Sequence, residues 1–472
     1  MGRQHRNGEK WCFSNDPVTG YNGICIWRLT DATVFPGGDA IQVPDTDAQS
    51  PATQTDDNQR DNISSILNNS VRYIIAKSTN GGSAIIKFDI AAPSATTQSS
   101  NLSADLMFDE SNAGIIYARV NHTRIQKWTS IDCCWTSINT NPPDIYDLAN
   151  CPGLQGYQPN WSGTWGTAIP TNTVLGMYHT WGTALSDQGQ DNGQWALAYK
   201  EPVKLVPGGC ASINTVTGQA WGFSGQSLSA LDDGNGTALP SFKIHDGGMT
   251  RNGAFFTIEP TNNSCNPGPA CPSAFIWEIG TNHARPCTVN CGGHPAAGFF
   301  DRASGKAPGS FMLLHPLANP NNSIVGPLLT DYPPSGFDEH ASWLNIPANE
   351  GAGLPPEYQG VDIYPVILTT TTHPPVQQYS QWGQDEIIGI SADPTEYADN
   401  EAWRFGQTGN SDTSPFYTCA NAKGTVSEDG RGIVFTSDMD SDGTPDPFPL
   451  GHTHDKKGNI VPRCDVFWME LK

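Results

Sequence analysis

The chain has 472 residues, and its 47 Asp and Glu outnumber its 25 Lys and Arg, which gives a formal net charge of −22. A chain this acidic lacks the basic face that nucleic acids and anionic membranes require, so we expect no nucleic-acid partner and no membrane docking. Abundant Gly and Pro (49 and 37) with only 15% charged residues indicate an all-β protein rich in loops. No apolar run reaches the ~18 residues of a membrane span, so we also expect no membrane insertion.

Strand patterns follow one another along the chain, and sustained helical periodicity is hard to find. An early strand is predicted at 23–29. The runs 71–77 and 83–90 flank Thr79-Asn80-Gly81-Gly82, a turn typical of a β-hairpin. Further alternating or apolar runs lie at Gly114–Val120, Arg124–Ser130, Gln194–Tyr199, Gly253–Glu259, Phe275–Ile279, Pro365–Thr370, Glu386–Ser391, Ala402–Phe405, Gly432–Ser437 and Asp465–Leu471.

A weak repeat runs through these strands, in which a polar turn containing Gly precedes a strand rich in aromatic or branched residues, as at 191–195, 251–255 and 429–433. Repeated strand pairs are typical of a radial β array, whose units bury their faces only against neighbours. About seven units can be counted, anchored near 71–90, 107–130, 178–200, 245–279, 292–316, 337–391 and 402–471. We therefore predict a single domain, 1–472, that forms a seven-bladed β-propeller with long loop insertions. The strand 23–29 would complete the last blade, 402–471, and close the ring.

The twelve cysteines are an even number, and several have locally paired spacings, so we expect the disulfides of an exported protein. The residues expected in these bonds are Cys12 and Cys25, Cys265 and Cys271, Cys287 and Cys291, and Cys419 and Cys464, of which the last two each precede a strand of the final pair. Cys133 and Cys134 are adjacent, so each is expected to pair elsewhere, and Cys151 and Cys210 complete the set.

One alternative to a local disulfide is a structural zinc site at Cys287, Cys291 and His294, although its C-x3-C-x2-H spacing is irregular. The disulfides predict an extracellular or periplasmic location. Met1–Lys10 is polar and charged and does not resemble a signal peptide. We therefore expect that a signal was removed from this numbering or that the gene start is misplaced.

An aspartate ladder lies at 438–446. Its carboxylates are Asp438, Asp440, Asp442 and Asp446, and Gly443 allows the sharp turn that would let the Thr444 carbonyl join them. Calcium prefers six to eight oxygen ligands, and clustered carboxylates repel each other without a cation, so we predict a calcium site here. The spacing resembles the D-x-D-x-D-G-x-x-D calcium loops of extracellular β proteins. The alternative is an acidic, solvated loop between two strands.

Four histidines, His179, His245, His294 and His340, lie just before or at the predicted innermost strands of four units. Equivalent positions in the blades of a propeller line one mouth of its central channel. Four imidazoles that met there would suit manganese, iron, zinc or copper. The alternative is that each histidine forms hydrogen bonds within its own blade and holds its turns.

Two segments carry a resemblance to known proteins. Ser427–Ser437, followed by Asp465–Trp468, resembles the repeat of secreted bacterial β-propellers of the TolB-like and WD-like type, and 108–117 resembles another copy. The histidine pattern is similar to that of oligogalacturonate lyase, a seven-bladed propeller with a histidine-rich metal site. That resemblance implies that the four histidines bind a metal, which would acidify the proton beside a uronate carboxylate.

These observations predict two functions. The first is an exported, calcium-stabilised propeller that acts as a binding or scaffold protein for a protein or glycan partner, because a rigid ring can position recognition loops. The alternative is a metal-dependent polysaccharide lyase or hydrolase that uses the histidine-lined channel. Fourteen Trp and thirteen Tyr could stack on sugar rings, but packing in the seams between blades is the favoured interpretation.

Overall fold

The structure is a computed structural model of the chain. It describes residues 10–12, 25–30, 34, 40–42, 65–68, 71–78, 82–89, 91, 94–102, 105–109, 112–120, 124–147, 150–154, 162–165, 169–173, 176–186, 193–200, 209–249, 255–261, 265, 271–272, 274–287, 296–299, 311–314, 337–342, 366–372, 386–390, 402–407, 424–427, 431–437, 452–454, 460–462 and 465–470. Strands are the regular elements of these segments, and the ladders between them are antiparallel. The prediction of an all-β protein is confirmed. None of the described segments is a long apolar helix of the kind that crosses a membrane.

The first part of the chain forms two sheets whose strands mostly pair in sequence order. The strands are β1 (Lys10–Cys12), β2 (Cys25–Arg28), β3 (Ala40–Gln42), β4 (Ser65–Asn68), β5 (Val71–Ser78), β6 (Ser83–Asp89), β7 (Ser94–Leu102), β8 (Asp105–Phe108), β9 (Ile115–Val120), β10 (Arg124–Ser130), β11 (Ile138–Asn139) and β12 (Asp144–Asp147). Sheet 1 consists of β4, β5, β6 and β7 in that order, with β3 also on β5. Sheet 2 consists of β8, β9 and β10, with β11 and β12 on β10.

The middle of the chain forms one ten-stranded sheet that divides into two parts, sheets 3 and 4. The strands are β13 (Ser162–Trp165), β14 (Ile169–Thr173), β15 (Gly176–Ser186), β16 (Gly193–Lys200), β17 (Gly209–Asn214), β18 (Gln219–Trp221), β19 (Ile244–Met249), β20 (Phe255–Pro260), β21 (Ala274–Glu278) and β22 (Ala284–Cys287). Sheet 3 runs β15, β16, β17, β18, with β13 and β14 on the other edge of β15, and sheet 4 runs β19, β20, β21, β22. A single residue pair, Gly193 with Ile244, joins the ladders of the two sheets.

The last part of the chain contains a sheet that includes strands from both ends of the protein. The strands are β23 (Ala296–Phe299), β24 (Phe311–Leu314), β25 (Phe337–Ser342), β26 (Val366–Thr372), β27 (Glu386–Ile390), β28 (Ala402–Gln407), β29 (Thr425–Val426), β30 (Gly432–Ser437), β31 (His452–His454), β32 (Ile460–Pro462) and β33 (Asp465–Glu470). β23 pairs with β24, and β31 with β32, while sheet 5 runs β25, β26, β27, β28. The terminal sheet has the order β1, β2, β33, β30, β29.

The central strands of sheet 1, β5 and β6, are buried on both faces. Tyr73 and Ile75 of β5 alternate with Ile74 and Ala76, and all four side chains are buried. Successive side chains of a strand point to opposite faces, so both faces of this sheet must be covered. The hairpin that leads from β5 to β6 includes Gly82 with φ +87°, a conformation that glycine adopts without steric cost.

Five sheets pack face to face in a continuous series, in which the terminal sheet is followed by sheets 1, 2, 3 and 4. The seams contain Trp27, Ile74, Ile86, Val434 and Trp468 (terminal sheet and sheet 1), Tyr73, Ile75, Phe108, Ile116 and Trp128 (sheets 1 and 2), Tyr117, Ile125, Trp195, Leu197 and Tyr199 (sheets 2 and 3), and Ala198, Ile213, Phe256, Phe275 and Trp277 (sheets 3 and 4). Six buried tryptophans therefore lie in these seams, as the packing interpretation expects: Trp27, Trp128, Trp135, Trp195, Trp277 and Trp468.

The terminal sheet also contacts sheet 5. The Gly424 N–H donates a hydrogen bond to Thr369 Oγ1 of β26, at 2.9 Å. Gly406 of β28 lies so close to Met469 that a Cβ there would meet that side chain. The sheet that ends the chain thus has sheet 5 on one side and sheet 1, the first along the chain, on the other.

A buried polar cluster holds β2 in the terminal sheet. Trp27 is opposite Trp468 in the ladder between β2 and β33. Arg28 Nη2 lies 2.6 Å from Asp465 Oδ2, and these side chains are 6% and 0% exposed. The Thr30 hydroxyl donates to Asp465 Oδ1 at 2.8 Å and accepts the Val466 N–H at 2.9 Å. Residues more than four hundred positions apart therefore share one enclosed ion pair.

Candidate functional site

The predicted calcium ladder, Asp438 to Asp446, lies outside the described residues. So do Cys291, His294, Cys419 and Cys464. The ladder follows directly on Ser437, the last residue of β30, and Ser437 is opposite Asp465 in the terminal sheet. The calcium site and the zinc alternative both stay predictions.

The other three predicted channel histidines all fall on described strands. His179 is in β15, His245 in β19 and His340 in β25, and the structure describes their backbone positions. β19 and β25 begin sheets 4 and 5, and β15 and β19 contact each other. The convergence of the imidazoles stays a prediction.

The prediction of disulfides is confirmed, with one correction to the pairing. Cys265 is bonded to Cys271. Cys25 is disulfide-bonded and lies opposite Cys12 in the ladder between β1 and β2.

Cys151, after sheet 2, is bonded to Cys210 in β17 of sheet 3. The expectation that Cys133 and Cys134 pair elsewhere is wrong, because they are bonded to each other. The turn after β10 brings their sulfur atoms together, with the Cα atoms 3.8 Å apart.

A long ordered loop, residues 222–242, connects β18 of sheet 3 to β19 of sheet 4. Its backbone is fixed by hydrogen bonds such as Leu231 N–H to Gly218 O (2.9 Å) and Leu239 N–H to Leu231 O (3.1 Å). Leu228, Leu231 and Leu239 pack on the core between the two sheets, while 224–227 and 234–238 are exposed. The loop thus presents a polar outer surface on an apolar base.

The 222–242 loop meets the turn between β21 and β22 through Asp232. The Asp232 N–H donates to Asn282 O at 3.0 Å, and the Ala284 N–H donates to Asp232 O at 2.8 Å. The Asn282 side-chain amide donates to Asp232 Oδ2 at 3.1 Å, and His283 Nδ1 lies 2.6 Å from Asp232 Oδ1. We call Asp232, Asn282 and His283 the Asp232–His283 site.

Both aspartates of this loop are held in their ionised form by hydrogen bonds. The contact with His283, followed by the Gly234 N–H (2.7 Å), holds the pKa of Asp232 below its usual range. The N–H groups of Asn235 and Thr237 lower the pKa of Asp233 in the same way. Both carboxylates therefore accept backbone N–H groups that fix the turns of the loop, and Asp232 also contacts the His283 imidazole. The described side chains contain no group of three or more His, Cys, Asp and Glu suited to holding a metal.

The Asp232–His283 site orients an imidazole toward solvent. A carboxylate only accepts hydrogen bonds, so His283 Nδ1 carries a hydrogen. Nε2 has no hydrogen-bond partner within the described part of the chain, and the side chain is 39% exposed. Arg285 lies against Gly234, which places a guanidinium beside the same surface. The site can therefore offer oriented donors and acceptors to the hydroxyl, amide or carboxyl groups of a ligand.

Sequence reasoning did not select this site. The Asp232-Asp233-Gly234-Asn235-Gly236 run is a recognisable turn signal, and Asx turns of this type are present. His283, however, is 51 residues from Asp232 and lies in a short turn. No local pattern connects the two residues.

Comparison with protein-family models finds none that matches this chain, and comparison with curated proteins finds no similar sequence. Function is therefore inferred from the residues of this chain alone.

Proposed function

We propose that this chain is an exported, seven-bladed β-propeller of the TolB-like or WD-like type, stabilised by calcium, that binds a protein or glycan partner. The ring supplies a rigid frame. The ordered loops at the ends of the sheets, above all the 222–242 loop, supply recognition.

The order of the sheets supports the ring. Sheets 1, 2 and 3 bury both faces against the sheets before and after them in the series, which is how blades pack in a propeller. The terminal sheet contacts both sheet 1 and sheet 5, as closure of a ring would require. Sheets 1–5, the β23–β24 hairpin and the terminal sheet would be the seven blades.

The pairing of β2 with β33 supports closure of that ring. A propeller that shares one blade between its two ends resists opening, because separating the ends breaks a complete ladder and its core. Here the shared sheet also encloses the ion pair between Arg28 and Asp465. The bonds Cys133–Cys134, Cys151–Cys210 and Cys265–Cys271, together with the disulfide-bonded Cys25, fit an oxidising compartment such as the periplasm or cell exterior.

The observation that carries the binding function is the rigidity of the Asp232–His283 site. Its polar groups are oriented by backbone and side-chain hydrogen bonds before any ligand arrives. A preorganised loop loses less conformational entropy when it binds, so more of the contact energy appears as affinity. An oriented imidazole with a guanidinium beside it matches sugar hydroxyls and the polar groups of a protein surface.

Binding of a panel of immobilised neutral and acidic polysaccharides, together with pull-down of surface proteins from the source cells, tests this function. We expect His283→Ala to weaken retention of the bound partner by about tenfold or more, the usual cost of losing an oriented polar contact. Thr129→Ala is the control, because Thr129 is exposed on sheet 2 and remote in sequence from the loop. Equal retention of His283→Ala and wild type would reject the site as the binding surface.

A metal-dependent polysaccharide lyase or hydrolase is the second candidate. The observation in its favour is that His179 and His245 lie on β15 and β19, two strands in contact, while His340 lies on β25, the first strand of sheet 5. With His294 they would form the metal site. Elemental analysis should then show one equivalent of manganese, iron, zinc or copper, lost in a His245→Ala/His340→Ala variant. A metal content unchanged in that variant would reject it.

A further inference from the structure

The turn that carries the adjacent disulfide is ordered by one carboxylate. β10 ends at Ser130, and the chain turns through 131–137 before β11. Asp132 Oδ1 accepts the N–H groups of Cys134 (3.0 Å) and Thr136 (3.2 Å) and the Ser130 hydroxyl (3.0 Å). Partial desolvation opposes ionisation, but the Cys134 N–H and the Ser130 hydroxyl outweigh it and keep the pKa of Asp132 below its usual range.

Trp135 anchors this turn to the sheets beneath it. The indole is buried, its Nε1–H donates to Ala113 O at 3.0 Å, and the ring meets Phe108 edge-on at 5.9 Å. The Trp135 carbonyl accepts the Ser99 hydroxyl of β7 at 2.5 Å. Trp135 also has φ +61°, a left-handed conformation that packing must enforce in a residue with a Cβ. Trp135 thus fixes the end of the turn, while Ile131 and Cys133 at its start are exposed to solvent.

The Cys133–Cys134 bond is therefore exposed at its Cys133 end, while Cys134 is half-buried. Cys133 lies on the surface, and the neighbouring Ile131 is 71% exposed. By contrast, Cys151 and Cys210 are both buried, and Cys265 and Cys271 pack against the core of sheets 3 and 4.

The three bonds also differ in what they constrain. The Cys151–Cys210 bond links residues 59 positions apart, so it removes much conformational freedom from the unfolded chain. A bond between neighbours closes no chain loop of consequence and gains almost nothing by this mechanism. The exposed bond is thus the one that contributes least to stability.

We propose that Cys133–Cys134 is a reversible thiol–disulfide site that exchanges with a dithiol reductant. A thiolate of the reductant attacks Cys133 Sγ, which belongs to the more exposed of the two residues, and the bond to Cys134 breaks. Cys134 leaves as a thiolate and takes up a proton. The second thiolate of the reductant then attacks the reductant sulfur of the mixed disulfide and releases Cys133. Two electrons pass to the protein, and the reductant becomes a cyclic disulfide.

Reduction places two thiols on adjacent residues of an anchored turn, next to the apolar Ile131 side chain. Two neighbouring thiols form a chelating pair for a trivalent arsenical, which makes phenylarsine oxide a specific probe of the reduced state. Neither buried Cys151 nor buried Cys210 is open to this reagent in the folded protein.

The test treats the folded, full-length protein with dithiothreitol and no denaturant, followed by rapid alkylation and peptide mass spectrometry. We expect Cys133 and Cys134 to be labelled together, at least about tenfold faster than Cys151, Cys210, Cys265 or Cys271, because exchange requires access to the sulfur. The reduced protein should also bind one equivalent of phenylarsine oxide. Labelling of Cys133 and Cys134 no faster than Cys151 and Cys210 would overturn the proposal.

Two variants separate this site from the rest of the chain. Cys133→Ser/Cys134→Ser should lose the fast thiols and the arsenical while melting within about 1 °C of wild type, since a bond between neighbours stabilises little. Cys265→Ser/Cys271→Ser is the matched control and should keep both signals. A large fall in the melting temperature of Cys133→Ser/Cys134→Ser would show that the bond is structural and would contradict the proposal. The labelling rates are measured on the wild-type protein, so that test does not depend on whether either variant folds.

Discussion

The terminal sheet and the 222–242 loop each use a carboxylate paired with a basic side chain, but with opposite exposure. In the terminal sheet, Asp465 and Arg28 are almost wholly buried and join residues from the two ends of the chain. In the loop, Asp232 orients His283 at the surface, where the imidazole is 39% exposed. The same chemistry thus joins the two ends of the chain in one place and orients an exposed imidazole in the other.

Burial determines how much stability is lost when one partner of an ion pair is removed. A buried pair contributes little net stability when intact, but removal of one partner leaves an uncompensated charge in a low-dielectric interior. An exposed pair is screened by water, so its loss costs little and its value lies in geometry. Mutations of the two regions should therefore differ strongly in their effect on folding.

Asp465→Ala should have the largest effect. It removes the carboxylate that pairs with the Arg28 guanidinium and accepts the Thr30 hydroxyl, so we expect the free energy of unfolding to fall by about 3–5 kcal/mol. Denaturant titration measures this change. Arg124→Ala is the control, because Arg124 and Asp144 form an exposed pair at 3.4 Å, and its cost should stay below about 1 kcal/mol. Similar costs for the two variants would contradict the comparison.

An Arg28→Met/Asp465→Leu double variant sharpens that result. Replacement of both partners by apolar residues removes the unpaired charge, so stability should return most of the way to that of wild type. A double variant as unstable as Asp465→Ala would mean that the loss comes from packing and not from charge.

Gly432→Ala should have the next largest effect. A Cβ at Gly432 of β30 would collide with the Trp468 indole on β33, so the strands or the ring must move. Overpacking of this kind costs about 1–3 kcal/mol, measurable as a lower melting temperature. Gly114→Ala is the control, since a Cβ there meets only the side-chain oxygen of Asn112, at 3.3 Å. Equal melting temperatures of the two variants would show that the Trp468 ring leaves room for a Cβ at Gly432.

Calcium removal tests the predicted ladder next to the terminal sheet. If Asp438, Asp440, Asp442 and Asp446 bind calcium, then a free concentration about a hundredfold above Kd stabilises the folded chain by about 2.7 kcal/mol. A chelator should lower the melting temperature of wild type and leave an Asp440→Asn/Asp442→Asn variant unchanged. A wild-type melting temperature that the chelator does not change would reject the predicted calcium site.

The smallest effect is the pH dependence at Asp232. Its pKa is lower in the folded than in the unfolded chain, so its stabilising contribution is present above the ordinary aspartate pKa of about 4 and is lost as pH falls through the folded value. The stability difference between wild type and Asp232→Asn should therefore be largest near neutral pH and shrink in acid. Denaturant midpoints of the two proteins at several pH values measure it. A difference that grows in acid would contradict the assignment.

Much of the strand structure could be predicted from sequence because its signals are local. Alternation at 71–77 and 83–90 with a Gly-rich turn predicts a hairpin, and β5 and β6 form one with Gly82 in the left-handed region. The predicted strand at 23–29 contains β2, which pairs with β33. Alternating apolar residues mark strands whose two faces are both buried, and such strands pack between neighbours.

The polar contacts could not be predicted because they join residues that are distant in sequence or that follow no spacing rule. Asp465 contacts Arg28 because the two ends of the chain share one sheet, and Asp232 contacts His283 because a loop packs on the next sheet. Adjacent cysteines bond when a turn permits it, and the turn at 131–137 depends on Asp132 and on the burial of Trp135. A prediction of disulfides from the sequence spacing of the cysteines alone therefore misses a bond between neighbours.

The most direct test of the shared terminal sheet is native-state hydrogen exchange at the backbone amides of β2. In wild type, we expect the amides of 25–28 to exchange as slowly as those of 465–470, because both strands open only with the whole ladder. In Asp465→Ala, exchange in the two segments should accelerate together. Fast exchange of 25–28 in a wild-type protein whose 465–470 amides remain protected would show that the ends of the chain do not share a sheet.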